Sequence, residues 1–291
     1  MRLLSFKHNA QISLGVIGSD ESVLNLADIG LDFGGEMLNL IKNYNSEIHA
    51  KIAKFAKQTG GLKYEQISKF APIINPAQDI ICLGINYLEH AKESYKFKKI
   101  KFDGKRQFPV YFGKRVNQAN ADTDLLPSHS DITDSLDYEC ELACIIGKDA
   151  KNVSLDEVDD YIFGWTILND ISARDIQNRY KQWYGGKSLD QSCPMGPWIV
   201  TKDEIDTSNL AIKTYINGEL RQNSNTSQMI FDIKYVINDL SKFMSIKAGS
   251  IISLGTPSGV GMGFDPPKYL KSGDEIVCEI EKIGQLRNKI L

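Results

Sequence analysis

Short apolar or alternating runs, each ended by turn residues, recur from residue 107 onward and constrain the fold more than any other feature. Asn217-Gly218 follows one such run and is a strong signal for a two-residue hairpin. Clear helical periodicity in this region is found mainly at 172–180 and 231–243. Many short strands with few helices predict a closed or folded-over β architecture rather than a Rossmann sheet. The predicted strands are 110–112, 138–147, 161–168, 198–201, 210–216, 251–254 and 275–283.

The first 70 or so residues predict a smaller unit with its own elements. Two short strands are expected at 3–6 and 12–17, and two helices at 36–44 and 47–58. Residues 70–76 carry two prolines and are typical of a connector. We therefore expect a small N-terminal α/β domain at residues 1–72 and a larger domain at residues 73–291.

Net charge, cysteine content and the lack of long apolar runs indicate which partners and which compartment to expect. A net charge of −3 gives no electrostatic case for nucleic acid or an anionic membrane surface as a partner. Five cysteines without a CxxC pair are typical of a reducing compartment. The N-terminal 14 residues lack a sustained apolar stretch, and no apolar run reaches the length of a spanning helix. We expect a cytoplasmic protein.

Two carboxylates lie on one face of the predicted strand 138–147. Glu139 and Glu141 alternate with Cys140 and Leu142, so the acids point one way and the apolar side chains the other. Two acids beside so apolar a run are costly unless a cation neutralises them, and oxygen ligands favour Mg²⁺, Mn²⁺ or Ca²⁺. A solvated edge strand with two surface carboxylates is the alternative, and the spacing alone does not exclude it.

Three further segments carry polar groups at places where a ligand could bind. Asp170 follows an apolar strand at a corner where a helix begins, so it is either a metal ligand or a helix cap. Lys187 stands in a glycine-rich loop and could neutralise a carboxylate or an enolate. The glycine-punctuated loop 254–261 could offer Thr256 and backbone N–H groups to an anion.

Taken in order, these segments resemble the fumarylacetoacetate hydrolase family. The resemblance runs from about residue 80 to 277 and is carried by 83–90 (LGINYLEH), 137–147, 169–177, 187–198 and 255–261. It implies an α+β, mainly β fold, a mixed β-sandwich roll, with a small N-terminal domain before the catalytic domain. It also implies a homodimer.

The resemblance assigns roles to particular residues. Glu139, Glu141 and Asp170 would be ligands of Mg²⁺, or of Mn²⁺ or Ca²⁺. Substrate would meet Lys187, which adds positive charge where negative charge develops. The remaining substrate-binding residues would be Tyr87, Arg174, Gln177 and Thr256.

Hydrolytic members of this family carry a His-x-x-Glu pair that activates water, and the matching residues are His90 and Glu93. Residues three apart share one helix face, so the pair is geometrically sensible. Without the resemblance, a lone histidine on a helix would more simply be a packed or exposed residue. The charged segment 92–106 would then act as a lid. Arg115 stands where the family often has proline, so the shape of that loop differs.

The function implied first is metal-dependent hydrolysis of C–C bonds in 2,4-dioxo acids of the acylpyruvate or fumarylpyruvate type. In this hypothesis a metal-bound enolate forms, and His90, held by Glu93, is the general base. The same enolate chemistry supports an isomerase or decarboxylase of 2-hydroxy-diene-dioate aromatic catabolites, or a ureidoglycolate-type lyase. A non-catalytic, metal- or ligand-binding β protein remains the alternative outside enzymes. In the enzyme reading, the partner is a small 2-oxo acid.

Overall fold

The computed structural model describes residues 1–97 and 107–291, so most of the predicted lid segment lies outside the described residues. The described strands are β1 Arg2–His8, β2 Gln11–Ile17, β3 Ser22–Asn25, β4 Leu62–Lys63, β5 Ser68–Phe70, β6 Ile80–Gly84, β7 Val110–Lys114, β8 Leu125–Leu126, β9 Leu136–Asp137, β10 Cys140–Ile146, β11 Ile162–Asn169, β12 Ser172–Ala173, β13 Met195–Thr201, β14 Ala211–Ile216, β15 Glu219–Asn225, β16 Ile251–Ser253, β17 Glu275–Ile280 and β18 Gly284–Ile290. The described α-helices are α1 Met37–Asn43, α2 Ser46–Phe55, α3 Leu88–Phe97, α4 Arg174–Arg179, α5 Tyr184–Lys187 and α6 Ile233–Phe243.

The larger sheet contains the strand that carries the two predicted metal ligands. In the described chain its order is β4-β3-β2-β1-β13-β11-β10-β16-β6-β7, with β5 paired to β1. Strand β10 lies between β11 and β16, and all seven of its residues are buried. Its run of Cys, Leu, Ala and Ile has the near-continuous apolar character of a strand covered on both faces. The alternative of a solvated edge strand is therefore wrong.

A second sheet packs across the face of β10 that holds Cys140 and Leu142. Its order in the described chain is β15-β14-β17-β18-β8. Side chains of β14 alternate between half-buried and buried, and Ile212 and Ile216 join Leu142 in one apolar core between the sheets. Parallel pairs (β16 with β6, β18 with β8) stand among antiparallel ones. The prediction of an α+β, mainly β fold with mixed sheets is confirmed.

The N-terminal segment is continuous with the larger sheet. Strand β1 pairs with β2 on one side and with β13 on the other, where Leu3 lies opposite Ile199. Leu3 and Ile199 also belong to one buried cluster. The division into domains at residue 72 stays a prediction, and the shared sheet gives it a test described below.

Local turn chemistry agrees with the sequence at the β14–β15 connection. Asn217 and Gly218 both have positive φ, 50° and 79°, as a type I′ hairpin turn requires. None of the helices in residues 1–97 and 107–291 is long and apolar enough to cross a membrane.

Candidate metal centre

The cluster begins on β10 and at the end of the neighbouring strand β11. Glu139 and Glu141 share one face and are 5% and 1% exposed. Asp170, which follows β11, is fully buried. Two hydrogen bonds join the strand ends: the Asp170 N–H donates to the Glu139 carbonyl (2.9 Å), and the Glu139 N–H donates to Asn169 Oδ1 (3.0 Å). This clamp fixes Asp170 beside the two glutamates.

The three carboxylates form a group suited to a cation. One oxygen from each of Glu139, Glu141 and Asp170 lies within 4.8 Å of the others. The helix after Asp170 begins at Arg174, and its cap residue Ala173 makes no side-chain cap hydrogen bond. The alternative of Asp170 as a helix cap is therefore wrong.

Basic side chains neutralise two of the three acids. Lys187 Nζ donates to Glu139 Oε2 (2.6 Å) and to Asp170 Oδ2 (2.7 Å). Lys114 Nζ lies 2.9 Å from Asp170 Oδ1, and Arg174 Nη2 lies 2.7 Å from Glu139 Oε1. Both lysines and Arg174 are at most 2% exposed, so these ion pairs are buried and not at the surface.

Glu141 meets only neutral donors among the hydrogen bonds of the described chain. Ser253 Oγ donates to its Oε2 at 2.5 Å, and the Gly255 N–H donates to the same oxygen at 3.0 Å. Burial, then the charges of Asp170 and Glu139, raise the pKa of Glu141 well above its usual value. Burial acts in the same direction on Glu139, but Lys187 and Arg174 outweigh it and lower the pKa of Glu139 to about 2.

This imbalance fits a divalent cation. Because no basic side chain of the described residues forms a hydrogen bond or ion pair with Glu141, an added cation would favour its ionised form. The donor set is all oxygen and fully buried, which suits the hard ions Mg²⁺, Mn²⁺ and Ca²⁺ better than zinc.

His90, of the predicted catalytic pair His90 and Glu93, lines one cavity together with Glu139 and Glu141. On α3, His90 Nδ1 lies 2.9 Å from Glu93 Oε2, and both side chains are largely buried. A carboxylate on Nδ1 puts the ring proton there and leaves Nε2 free to accept one.

One cavity joins most of the predicted residues. Its free volume is about 30 Å³, room for one or two water molecules, so a larger ligand requires side chains to move. Its lining includes His90, Glu139, Glu141, Arg174, Gln177, Lys187 and Thr256.

The predicted substrate-binding residues differ in whether they line the cavity and in whether their polar atoms already have hydrogen-bond partners. Arg174 Nη1 donates to Gln177 Oε1 (2.9 Å), and both side chains line the cavity. Thr256 also lines it, although its hydroxyl donates to the Cys140 carbonyl (2.9 Å). Tyr87 is 1% exposed and is absent from the cavity lining, and its hydroxyl has no hydrogen-bond partner in the described chain.

Several buried polar residues that support the site were not singled out from the sequence. Asp137 accepts from Arg174 Nε (2.8 Å) and from the N–H groups of Gly261 (2.6 Å) and Met262 (3.0 Å). Lys114 also donates to the carbonyls of Ile171 and Lys187. Lys114 is the one buried residue of the half-buried strand β7, and a buried lysine is rare unless it is paired.

Comparison with known proteins supports the resemblance to the fumarylacetoacetate hydrolase family. The model of the fumarylacetoacetate (FAA) hydrolase C-terminal family matches residues 79–291. The chain is 41% identical to oxaloacetate tautomerase YisK from Bacillus subtilis (strain 168) over 292 residues, covering 95% of each protein. It is similar to the structure of a fumarylacetoacetate hydrolase from Exiguobacterium antarcticum, with TM-score 0.82, 31% identity and coverage of 100% and 99%. It is also similar to maleylpyruvate hydrolase from Sphingobium sp. SYK-6 in complex with manganese(II) and pyruvate, with TM-score 0.77, 27% identity and coverage of 100% and 99%.

Proposed function

The chain belongs to the fumarylacetoacetate hydrolase family of enzymes, and on that premise we propose that it is a divalent-metal-dependent keto–enol tautomerase of small 2-oxo diacids. Oxaloacetate is the reference substrate. One observation carries the proposal: two members of a buried cluster of three carboxylates, Glu139 and Glu141, line a cavity together with a histidine and a lysine. The 41% identity to an oxaloacetate tautomerase supports tautomerisation over the hydrolysis that the sequence favoured first.

Each residue has a task in this reaction. A divalent cation on Glu139, Glu141 and Asp170 would supply the Lewis acid that polarises the 2-oxo group. Arg174 is held in place by Asp137, and it would bind and orient a substrate carboxylate together with Gln177.

Proton transfer falls to the pair on α3. Nε2 of His90 takes a proton from C3, and Glu93 stabilises the imidazolium that results. The electron pair of the broken C–H bond forms the C2–C3 double bond, and the charge on the 2-oxygen is met by Lys187. His90 then returns the proton to that oxygen, so the reaction consumes no water.

Lys187 acts as a fixed charge and not as a proton donor. Burial works to lower its pKa, but Asp170 and Glu139 outweigh burial and raise the pKa of Lys187 above its usual value. In the metal-free site these two carboxylates therefore favour the charged ammonium.

Hydrolysis of a C–C bond in acylpyruvate-type acids is the second candidate. The spacing of His90 and Glu93, together with the similarity to a maleylpyruvate hydrolase, favours it. In this reaction the same imidazole would take its proton from water. Decarboxylation of oxaloacetate is the remaining outcome that the assay below detects.

The test follows the ultraviolet absorbance of enol-oxaloacetate with the Mn²⁺-loaded protein, and measures pyruvate in parallel. We expect enol decay faster than in buffer without pyruvate release, and a loss of about 100-fold or more in kcat in both His90→Ala and Glu141→Gln. His49→Ala, on α2 and outside the cavity lining, is the matched control and should retain activity.

Three outcomes would count against tautomerisation. Pyruvate release at the rate of enol decay would indicate decarboxylation. Cleavage of fumarylpyruvate with no effect on enol-oxaloacetate would indicate hydrolysis. Unchanged turnover in both variants would remove the assigned base and the cluster from the mechanism.

A further inference from the structure

Helix α3 is attached to the rest of the site through Glu93 as well as through its own packing. The two oxygens of the Glu93 carboxylate have different partners. Oε2 lies 2.9 Å from His90 Nδ1, and Oε1 accepts from the Gly259 N–H at 3.0 Å. The carboxylate thus connects the imidazole to the loop that contains residues 255–263.

The loop offers the carboxylate a place to lie because residue 263 has no side chain. A Cβ added to Gly263 would stand 1.9 Å from Glu93 Oε1, 2.3 Å from its Cδ and 2.9 Å from its Cγ. These separations are far below van der Waals contact, so Glu93 would have to leave its observed position if residue 263 carried a side chain. The three atoms nearest to that Cβ all belong to Glu93.

The other glycines of this loop are required for different reasons. Gly259 has φ of 99°, and a Cβ there would meet the Arg221 carbonyl oxygen at 2.0 Å. A Cβ on Gly261 would meet the Lys268 carbonyl oxygen at 2.4 Å. Gly263 has no left-handed φ, and the three atoms nearest to its added Cβ all belong to Glu93, so the first obstacle to alanine there is a side chain and not the backbone.

The opposite side of the same loop is anchored at the substrate-binding arginine. Asp137 accepts from the N–H groups of Gly261 and Met262 while it holds Arg174 Nε. The position of the loop is therefore fixed relative to Arg174, and whatever rests on the loop is fixed relative to Arg174 too.

From these contacts we propose that Gly263 is a positioning residue for the general base. Because Gly263 has no side chain, it leaves a gap that the Glu93 carboxylate occupies, and we call this gap the seat. By holding Glu93, the seat fixes the orientation of the His90 ring and the tautomer that the ring adopts. The catalytic part of this inference rests on the proposed function, since it takes His90 as the base. The seat itself rests only on the geometry.

The test is a double-mutant cycle between Gly263→Ala and Glu93→Ala. Each single variant should lower kcat for enol-oxaloacetate by about 100-fold, the low end of the range for a general base, while KM stays within about threefold. Because both changes remove the same interaction, the double variant should match Glu93→Ala within about twofold. Losses that multiply to about 10,000-fold would mean independent roles and would overturn the proposal.

A second readout does not depend on turnover. Amide hydrogen exchange of residues 88–97 should rise in Gly263→Ala and in Glu93→Ala to the same extent, with no further rise in the double variant. Mn²⁺ affinity should remain within about twofold of the wild type, because none of the three carboxylates is altered. Unchanged exchange of these amides in Gly263→Ala would also overturn the proposal.

The two readouts separate this inference from the proposed function. If the wild type fails to tautomerise oxaloacetate, the exchange cycle still decides whether the seat exists. Gly113→Ala on β7 is the matched control, since its Cβ would meet nothing closer than 3.6 Å, and it should behave as the wild type. If Gly263→Ala fails to fold, the double variant must fold, since Glu93 is the stated obstacle; failure of the double variant would overturn the proposal.

Discussion

At the scale of single residues, the site is defined by an uneven distribution of charge. Glu139 and Asp170 share Lys187, while Glu141 accepts hydrogen bonds from a serine hydroxyl and a backbone N–H. Burying an ion without a partner costs several kcal/mol, so burial favours the neutral form of Glu141 and raises its pKa. Glu141 is for this reason the ligand whose ionisation couples most strongly to metal binding.

This coupling predicts how stabilisation by Mn²⁺ depends on pH. The pKa of Glu141 is raised, so its contribution to stability is full below its ordinary value of 4.5 and is lost as pH rises above it. The pKa of Glu139, lowered to about 2, acts with the opposite sign: its contribution is present above 4.5 and is lost as pH falls toward 2. Of these two carboxylates, Glu141 is therefore the one whose ionisation changes stability as pH rises above 4.5.

Mn²⁺ must displace the proton of Glu141 to bind, so its effect should grow with pH. We expect the rise in Tm caused by a fixed excess of Mn²⁺ to be larger at about pH 8 than at about pH 5.5, measured by differential scanning fluorimetry. Glu141→Gln should abolish both the rise and its pH dependence. Equal shifts at the two pH values would show that Glu141 is already ionised without metal.

The ion pairs of Lys187 predict that Mn²⁺ can restore the stability of a Lys187 variant without restoring its activity. Lys187→Met leaves Glu139 and Asp170 buried without their shared ammonium, which should cost about 3–5 kcal/mol in the metal-free protein. Saturating Mn²⁺ should restore more stability to this variant than to the wild type, while kcat stays about 100-fold or more below the wild type. Chemical denaturation with and without Mn²⁺ measures the first effect.

Lys247→Met is the matched control for that experiment. Lys247 pairs with Asp149 at the surface, and both side chains are 58% exposed, so its loss should change stability by less than about 0.5 kcal/mol. The expected difference arises because the Lys187 ammonium neutralises Glu139 and Asp170 when no metal is bound. If Mn²⁺ stabilised Lys187→Met no more than the wild type, this role of the ammonium would be contradicted.

At the scale of elements, a buried glutamine joins the two sheets behind the carboxylate cluster. Gln222 on β15 accepts from the Cys140 N–H (3.2 Å) and from Thr214 Oγ1 (2.6 Å). Its Nε2 donates to Thr256 Oγ1 (2.7 Å) and to the Pro257 carbonyl (2.8 Å). One side chain therefore links the strand of Glu139 and Glu141, the second sheet and the loop of Thr256.

Gln222→Met keeps the volume but removes all four hydrogen bonds. We expect it to lower the free energy of unfolding by about 3 kcal/mol, because buried donors and acceptors on both sheets lose their partners. Gln228→Met, at an exposed position close by in the chain, should change it by less than about 0.5 kcal/mol. A loss below about 1 kcal/mol in Gln222→Met would show that its partners find other hydrogen bonds.

Period-two patterns made most elements predictable, and the limits of that signal are physical. The alternation at β10 predicted that Glu139 and Glu141 share a face, and Asn217-Gly218 predicted the hairpin turn. Strand β18 was not predicted, since its buried residues Leu286, Asn288 and Ile290 alternate with polar side chains and include an asparagine. Gln222 could not be predicted either, because its partners Cys140 and Pro257 lie 82 and 35 residues away.

At the scale of the whole molecule, the N-terminal residues complete the larger sheet. Strand β1 covers the edge of β13, and Leu3 packs in a cluster with Ile199. A pattern within 1–72 cannot reveal pairing with residues more than 100 positions away, so the sequence indicated a separate unit. A fragment of residues 73–291 should then expose β13 as an unpaired edge and fail to unfold cooperatively, as circular dichroism would show. A cooperative, Mn²⁺-binding fragment would instead support the predicted division.

A cation bound by Glu139, Glu141 and Asp170 is the centre of the proposed chemistry, and the anomalous difference map of a Mn²⁺-soaked crystal tests for it most directly. We predict one strong peak within bonding distance of all three carboxylates, with Lys187 Nζ moved out from between Glu139 and Asp170. The same map of Glu141→Gln should show that peak weakened or absent. A wild-type map with no peak at the three carboxylates, or with its main peak elsewhere, would contradict the metal centre and the chemistry proposed from it.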